Sequence, residues 1–370
     1  MKIYFLSSSA FSDNQMSILK YLGKYHEITY AVIIPYKNSN YTKKELAEYC
    51  KENNIHFIPF ELNHRFRDPR LLITYFSIVR HIRNSNTDLI YFANFGQLYL
   101  NTLIGLLNPS RTIIALHDVK THSNSSFGRL TDLSNSILIE KFWNFQTFSK
   151  IQKKLLHKRI PHKTVYTISL PLIDFGALPD KKESNNEVNF LFFGNIIAYK
   201  GLDILLKAFK NIEDNHKNAR LVIAGRCDDW EETYVPIING SDQVISNIRF
   251  IANEEIPFFF EMADYVVLPY RDTTQSGPLM ISYNYNKPVL VSNAEGFIEF
   301  TEEGVTGYSY DLSSQADLEQ VLKNCMEMSA REYKKLRGRL ANYTQANYST
   351  IALVNKYNTM FAEVLAAKSH

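Results

Sequence analysis

The sequence predicts an α/β fold made of two doubly wound, Rossmann-like domains. Three observations point there. Short apolar strands alternate with amphipathic helices through the first half of the chain, and the alternation restarts at residue 188. Residues 180–187 (DKKESNNE) hold no apolar anchor and read as a linker between the two series. At 370 residues the chain exceeds what one hydrophobic core ordinarily serves. The expected layout is a first domain over 1–175, the linker, a second domain over 188–345, and a closing helix over 349–370.

In the first half, strands are expected at 2–7, 27–34, 56–60, 89–92 and 112–117, with helical periodicity at 14–22, 43–53, 70–82 and 98–107. Residues 121–126 lack packing side chains and read as a loop. A helix near 130–142, a strand near 145–149, a basic helix to 158 and an extended stretch at 164–172 follow. The second half offers strands at 188–193, 220–224, 248–250, 265–268 and 288–291, and helices at 202–211, 256–262, 279–285 and 316–328. Repeated βα units at this spacing give parallel sheets covered on both faces. Ligands of such sheets bind beyond the carboxyl ends of the strands and in crevices between domains. The loops after strands are therefore the places to look for function.

Composition narrows the class. No run approaches the ~20 apolar residues of a membrane span, and the apolar run 3–6 is too short for a secretory leader. Cys50, Cys227 and Cys325 are scattered and odd in number, which argues against a disulfide framework or a zinc site and fits a reducing cytoplasm. The net charge of +3 hides an asymmetry: residues 1–170 carry 22 Lys+Arg against 11 Asp+Glu, a net +11, and the rest carries 19 against 27, a net −8. One cationic cluster is Arg65, Arg67, Arg70, Arg80 and Arg83; another is Lys150, Lys153, Lys154, Lys158, Arg159 and Lys163. A basic half predicts an anionic partner, either a membrane surface, a phosphorylated lipid or a nucleic acid. No aromatic–basic recognition motif accompanies the clusters, which places nucleic acid last.

Four loops carry candidate chemistry. The segment Phe192 to Asp203 runs from an apolar strand through Gly194, Asn195 and Lys200 into a helix. Such an entry gathers backbone N–H groups and the positive end of a helix dipole, and Lys200 adds a full charge, so the natural guest is a phosphate or diphosphate. Arg226 ends the next strand and offers a guanidinium fork to the same anion. In Arg271 to Pro278, the residues Thr273, Thr274, Gln275, Ser276 and Gly277 place hydroxyls and open amides at a helix start, a second anion cradle. In the first half, His117 and Asp118 stand at a strand end with His122 nearby; a neutral imidazole hydrogen-bonds a sugar hydroxyl, and a charged one stabilises an anion. The fourth loop, residues 7–13, has hydroxyls such as Ser8 for a ligand oxygen, although capping by Ser12 or Asp13 accounts for much of its composition.

These pieces, taken in order, resemble the family 4 retaining glycosyltransferases of the GT-B fold. The matching stretches are Phe193-Gly194-Asn195-Ile196 through Lys200-Gly201-Leu202-Asp203, Leu221 to Gly225, Ala263 to Tyr270, Gln275-Ser276-Gly277 through Lys287-Pro288 to Ser292, and Gly296, Glu299 and Glu303 to Gly307. The resemblance spans about 120 residues, and its specificity lies in the order and spacing of the pieces. The sequence departs from the family at the glutamate pair of the Arg271–Pro278 loop and its helix: Thr273 and Ile281 occupy those places, in a Gln-Ser-Gly version of the loop.

The resemblance implies two domains facing a cleft, with the final helix crossing back to the first domain. It implies transfer of a sugar from a UDP- or GDP-type nucleotide sugar to a glycan or lipid-linked acceptor, with retention and without a metal or other cofactor, in surface polysaccharide synthesis. Lys200 would hold the diphosphate, His117 would touch the donor sugar, and the Ser276-Gly277 amides would face sugar or phosphates. The basic half suggests a cytoplasmic protein making peripheral contact with an anionic membrane. A nucleotide-sugar binder that no longer transfers, and a sugar-nucleotide epimerase of the same shape, are the alternative readings.

Overall fold

The computed structural model describes residues 1–37, 39–66, 68–119, 128–180 and 187–367. Arg67, Lys120, His122 and the rest of the 121–126 loop, and linker residues 181–186 lie outside the described residues. The chain divides into two compact units, Met1–Pro171 with Thr350–His370, and Leu172–Ser349.

The first unit holds a seven-stranded parallel sheet. Its strands are β1 (Lys2–Ser8), β2 (Glu27–Ile34), β3 (His56–Glu61), β4 (Leu89–Asn94), β5 (Thr112–Leu116), β6 (Asn144–Thr147) and β7 (Thr164–Thr167), in the order β3-β2-β1-β4-β5-β6-β7. The central strands β1, β4 and β5 are apolar runs buried on both faces, as a covered parallel sheet requires. Pro59 lies in β3, an edge strand, where its missing N–H breaks no internal ladder. The helices Leu71–Asn84, Leu98–Ile104 and Gly128–Lys141 pack side by side, and Tyr75, Ile78, Ile104 and Leu138 join Leu6, Phe92 and Ile114 in one core. The helix Thr350–Ala366 also belongs to this unit: the Phe361 ring meets Phe5 and Tyr91, Gln146 Nε2 donates to the Tyr357 hydroxyl at 3.2 Å, and His26 Nε2 lies 2.7 Å from Asn358 Oδ1.

The second unit holds six parallel strands, β8 (Val188–Phe193), β9 (Ala219–Ala224), β10 (Val244–Asn247), β11 (Tyr265–Leu268), β12 (Val289–Ser292) and β13 (Gly307–Tyr310), in the order β10-β9-β8-β11-β12-β13. The helix Leu202–Glu213 seals one face by burying Leu202, Leu205, Leu206, Phe209 and Ile212, an apolar stripe at helical spacing.

The structure departs from the sequence reading in several places. Residues 172–175, read as the end of the first domain, fall in the second unit because the Tyr285 hydroxyl accepts from Phe175 N and donates to Gly176 O, at 3.0 and 3.1 Å. The strand expected at 248–250 forms instead at Val244–Asn247; it is a half-exposed edge strand, so apolar pattern does not mark it, and Arg249 is held outside the ladder by Glu255. The 18-residue helix Ala330–Asn347 was not expected: it buries only Leu336, Leu340 and Thr344, a narrow stripe, behind a Ser329–Glu332 capping box. Neither Ser12 nor Asp13 is the N-cap of the helix that follows, Ser12–Leu22. Ser8 caps the short 3-10 turn Ser9–Phe11, and the Ser12 hydroxyl is buried against Tyr30 OH at 2.9 Å. Two of the clustered cations have internal work. Lys163 donates to the carbonyls of Ile139 and Glu140 at the end of a helix, and Arg70 is paired with Asp68.

Candidate functional site

The second unit brings the Gly194 turn, Lys200 and the helix Gly277–Asn284 to one point. After β8 the chain turns at Gly194, with φ of +106°, and Gly194 N donates to Ala224 O at 2.9 Å. Ile196 N donates to Arg226 O at 2.8 Å, so the turn is laced to the end of β9. A short 3-10 turn, Ala198–Lys200, then delivers the lysine, and Gly201 reverses the chain into the helix at φ of +68°. A Cβ at residue 201 would stand 2.0 Å from the Pro269 carbonyl oxygen, so only glycine lets this turn press on the end of β11.

Lys200 is 8% exposed. Its Nζ lies 5.6 Å from the centre of the Tyr270 ring, and among the described residues it has no carboxylate or carbonyl partner. A Cβ on residue 194 would come within 3.2 Å of that Nζ and 3.6 Å of the Pro278 ring, which puts Gly194, Lys200 and the first turn of the Gly277–Asn284 helix around one small space. Burial drives the ammonium down to about 8. A buried cation without a counter-ion is unfavourable in the empty protein, and a bound anion is what would relieve it.

The loop after β11 is held on this turn by a fork that the sequence reading missed. Arg271 Nη1 and Nη2 donate to the two Asp203 carboxylate oxygens at 2.9 and 2.7 Å, Nη1 also donates to Ala198 O at 2.6 Å, and Arg271 N donates to Tyr199 O at 2.7 Å. Burial alone would raise the Asp203 carboxyl, yet the guanidinium outweighs it and holds the group below the usual carboxylate range. Both residues lie inside the segments singled out from sequence, but their pairing is a matter of tertiary placement. Tyr270, which floors the Lys200 pocket, was likewise read only as strand-end sequence.

The remaining predicted residues of this unit fall as follows. Ser276 caps the Gly277–Asn284 helix, its hydroxyl accepting from Leu279 N at 3.2 Å, so that oxygen is already engaged; the Gly277 amide meets no acceptor among the described residues. Thr273 is buried and its hydroxyl donates to Gln275 O at 2.8 Å, while Gly296 packs so closely that a Cβ there would sit 2.1 Å from Thr273 O. Thr274 and Gln275 are half-buried in the same loop. Asn195 is exposed. Arg226 is exposed, and its Nε lies 3.3 Å from Asp228 Oδ1. Ile281, in a place where the resemblance expects a glutamate, is buried.

In the first unit, His117 is clamped between the rings of Phe11 and Phe148, with centroids 4.0 and 4.4 Å away and planes within 8° and 18°. Burial pushes its pKa down to about 3, so the imidazole is neutral at pH 7. Asp118 is half-buried, and its carbonyl accepts from Asn135 Nδ2 at 3.1 Å. Ser8 is buried, and its hydroxyl oxygen accepts from Ala10 N at 3.4 Å. Among the described residues no group of three or more His, Cys, Asp or Glu is placed to hold a metal ion, and no helix is long and apolar enough to cross a membrane.

Two parallel α/β sheets, of seven and six strands, define a two-domain fold of the GT-B glycosyltransferase type, and solved structures share it. The Anabaena protein Alr3699/HepE, crystallised with UDP-glucose, superimposes with a TM-score of 0.74 over 99% of this chain and 100% of its own, at 15% identity. Residues 176–346, within the second unit, match the family described as Glycosyl transferases group 1. The YtcC protein of Bacillus subtilis (strain 168), whose name marks it as a glycosyltransferase by inference, is 24% identical over 335 residues, 79% of this chain and 77% of that one. A GDP-mannose:glycolipid 4-beta-D-mannosyltransferase of Xanthomonas campestris pv. campestris is 26% identical over 128 residues, 34% of this chain and 36% of that one. Family match and relatives together support a glycosyltransferase of the GT-B fold.

Proposed function

We propose that this chain transfers a sugar from a nucleoside diphosphate sugar to a glycan or lipid-linked acceptor, retaining the anomeric configuration and using no metal or other cofactor, in the building of surface polysaccharide. The observation that carries the reading is the uncompensated Lys200 ammonium, buried over Tyr270 beside Gly194 and the amide end of the Gly277–Asn284 helix. Charge that develops on a departing diphosphate would be met there by a fixed cation and fixed N–H dipoles, which need no reorganisation as the bond breaks. The named relatives support both donor types: the Anabaena protein was crystallised with UDP-glucose, and the Xanthomonas enzyme is named for GDP-mannose. His117, neutral and held flat between two rings, is proposed as the hydrogen-bonding group for a sugar hydroxyl.

The test is a panel of UDP and GDP sugars screened by thermal shift, followed by transfer assays with the donor that binds. Lys200→Ala should slow transfer roughly tenfold or more, since a charge-assisted contact to the leaving anion is worth about 1.5–3 kcal/mol. Unchanged turnover in that variant removes Lys200 from the chemistry. Proton NMR of the first product decides the anomer, and activity in excess EDTA decides the metal question. Buried Ile281 and the engaged Thr273 hydroxyl, in the places where the family carries glutamates, motivate the second reading, a binder that does not turn over. Donor binding without transfer or hydrolysis would establish it.

A further inference from the structure

One helix of the first unit presents an outward face unlike a solvated one. In Leu71–Asn84, the residues Leu71, Tyr75, Ile78, Val79 and Ile82 are buried. At about 100° per residue, the adjoining arc carries Leu72, Ile73, Phe76, Arg80 and Arg83. Leu72 is 41%, Ile73 80% and Phe76 55% exposed, three large apolar side chains within five positions. No Asp or Glu occurs anywhere in the 14 residues of the helix. Arg80 and Arg83 are exposed and meet no carboxylate among the described residues, unlike Arg70, whose Nε sits 2.8 Å from Asp68 Oδ1.

At the carboxyl end of this helix lies a groove of about 540 Å³ whose lining includes Arg83, Arg111, Ser85, Asn108, Leu106 and Pro109. Arg111 is exposed and pairs with no carboxylate among the described residues, and Leu106 is 52% exposed. Two guanidiniums with no carboxylate partner among the described residues, in a groove that apolar side chains also line, suit a phosphate that carries hydrocarbon. The groove lies at the amino-terminal ends of β4 and β5, the opposite end of the sheet from the His117 loop.

We propose that this face docks on a bilayer containing anionic phospholipid. The helix lies in the plane of the interface, Leu72, Ile73 and Phe76 enter the acyl boundary, and Arg80, Arg83 and Arg111 take headgroup phosphates, one of them in the groove. The occupant follows from the chemistry of the surface: apolar side chains and cations share one acid-free arc, in a chain half whose net charge is +11 over residues 1–170. The inference does not rest on the nucleotide-sugar reading, and its experiment uses no donor.

The full chain is sedimented with phosphatidylcholine vesicles with and without phosphatidylglycerol, across a salt series. Binding is expected only with phosphatidylglycerol and should weaken as salt rises. Arg83→Ser with Arg111→Ser should cost about 25-fold in partitioning, since each cation near an anionic bilayer accounts for roughly fivefold. Ile73→Ser with Phe76→Ser should abolish sedimentation, with an unchanged melting temperature showing that these exposed positions leave the fold intact. Failure of the wild type to bind anionic vesicles overturns the proposal, as does wild-type binding by the Ile73/Phe76 variant. Release by millimolar inorganic phosphate would make the groove a soluble-phosphate site, and vesicle-independent self-association broken by Ile73→Ser would make the face a contact between copies; either outcome also overturns it.

Discussion

Replacing Lys200 with methionine should stabilise the protein while removing its donor binding. The side chain is 8% exposed, and burial lowers its pKa from 10.5 to about 8. That shift corresponds to about 3 kcal/mol of unfavourable charge burial, from which the lost contact with the Tyr270 ring returns about 0.5–2 kcal/mol. Methionine keeps the length and packs on the same ring, so Lys200→Met should gain about 1–3 kcal/mol at pH 7. The folded-state pKa is depressed, so between pH 8 and 10.5 the unfolded chain holds the extra proton. The penalty in the wild type is therefore complete below pH 8, shrinks as pH rises, and is absent above 10.5. Urea denaturation followed at pH 7, 9 and 10.5 should show the advantage of the variant fading along that series. In the same preparations a nucleotide sugar at roughly 100 times its dissociation constant should stabilise the wild type by about 2.7 kcal/mol and the variant hardly at all. A variant less stable than wild type at pH 7, or a difference that ignores pH, would refute the view of Lys200 as a cation held without a counter-ion.

Other outcomes follow from the same geometry. Gly201→Ala should destabilise by more than about 2 kcal/mol in urea melts, because residue 201 sits at φ of +68° and its Cβ would collide with Pro269 O. Arg271→Met should cost about 1–3 kcal/mol at pH 7 and progressively less as the pH falls below 3.8, since the Asp203 carboxylate contributes fully above its unfolded pKa and loses that contribution as the pH passes down through its lower folded value; denaturation along an acid series checks this. NMR titration of His117 should show no inflection between pH 8 and about 5, the ring staying neutral between Phe11 and Phe148; a midpoint near 6.5 would mean that the rings do not desolvate it.

The sheet architecture was legible because the buried strands are continuous apolar runs, as in Val188–Phe193 and Leu89–Asn94, and because each is followed by a helix with a clear stripe. The edge strand Val244–Asn247 and the helix Ala330–Asn347 were not, since each buries too little for its period to show. Lys200, Gly194 and the Ser276-Gly277 turn were singled out from local chemistry, because a glycine turn before a helix is visible within a few residues, and the structure brings Gly194, Lys200 and Pro278 together. The Arg271–Asp203 fork joins positions 68 apart, and the Arg83–Arg111 groove joins two loops, so neither has a local signal. The contacts of Ser8 with Ala10 N and of Arg226 with Asp228 were equally invisible, because a hydroxyl or guanidinium looks the same in sequence whatever it touches.

The helix Thr350–Ala366 sets the order in which this protein can be completed. Phe5, Tyr91 and Gln146 are made early, yet Phe361 and Tyr357, which cover them, leave the ribosome only after all of Leu172–Ser349. At 5–20 residues per second the nascent chain spends roughly ten to forty seconds with that seam open. The residues that Phe361 and Tyr357 cover are thus obliged to wait, with that aromatic surface open, until the intervening unit has been synthesised.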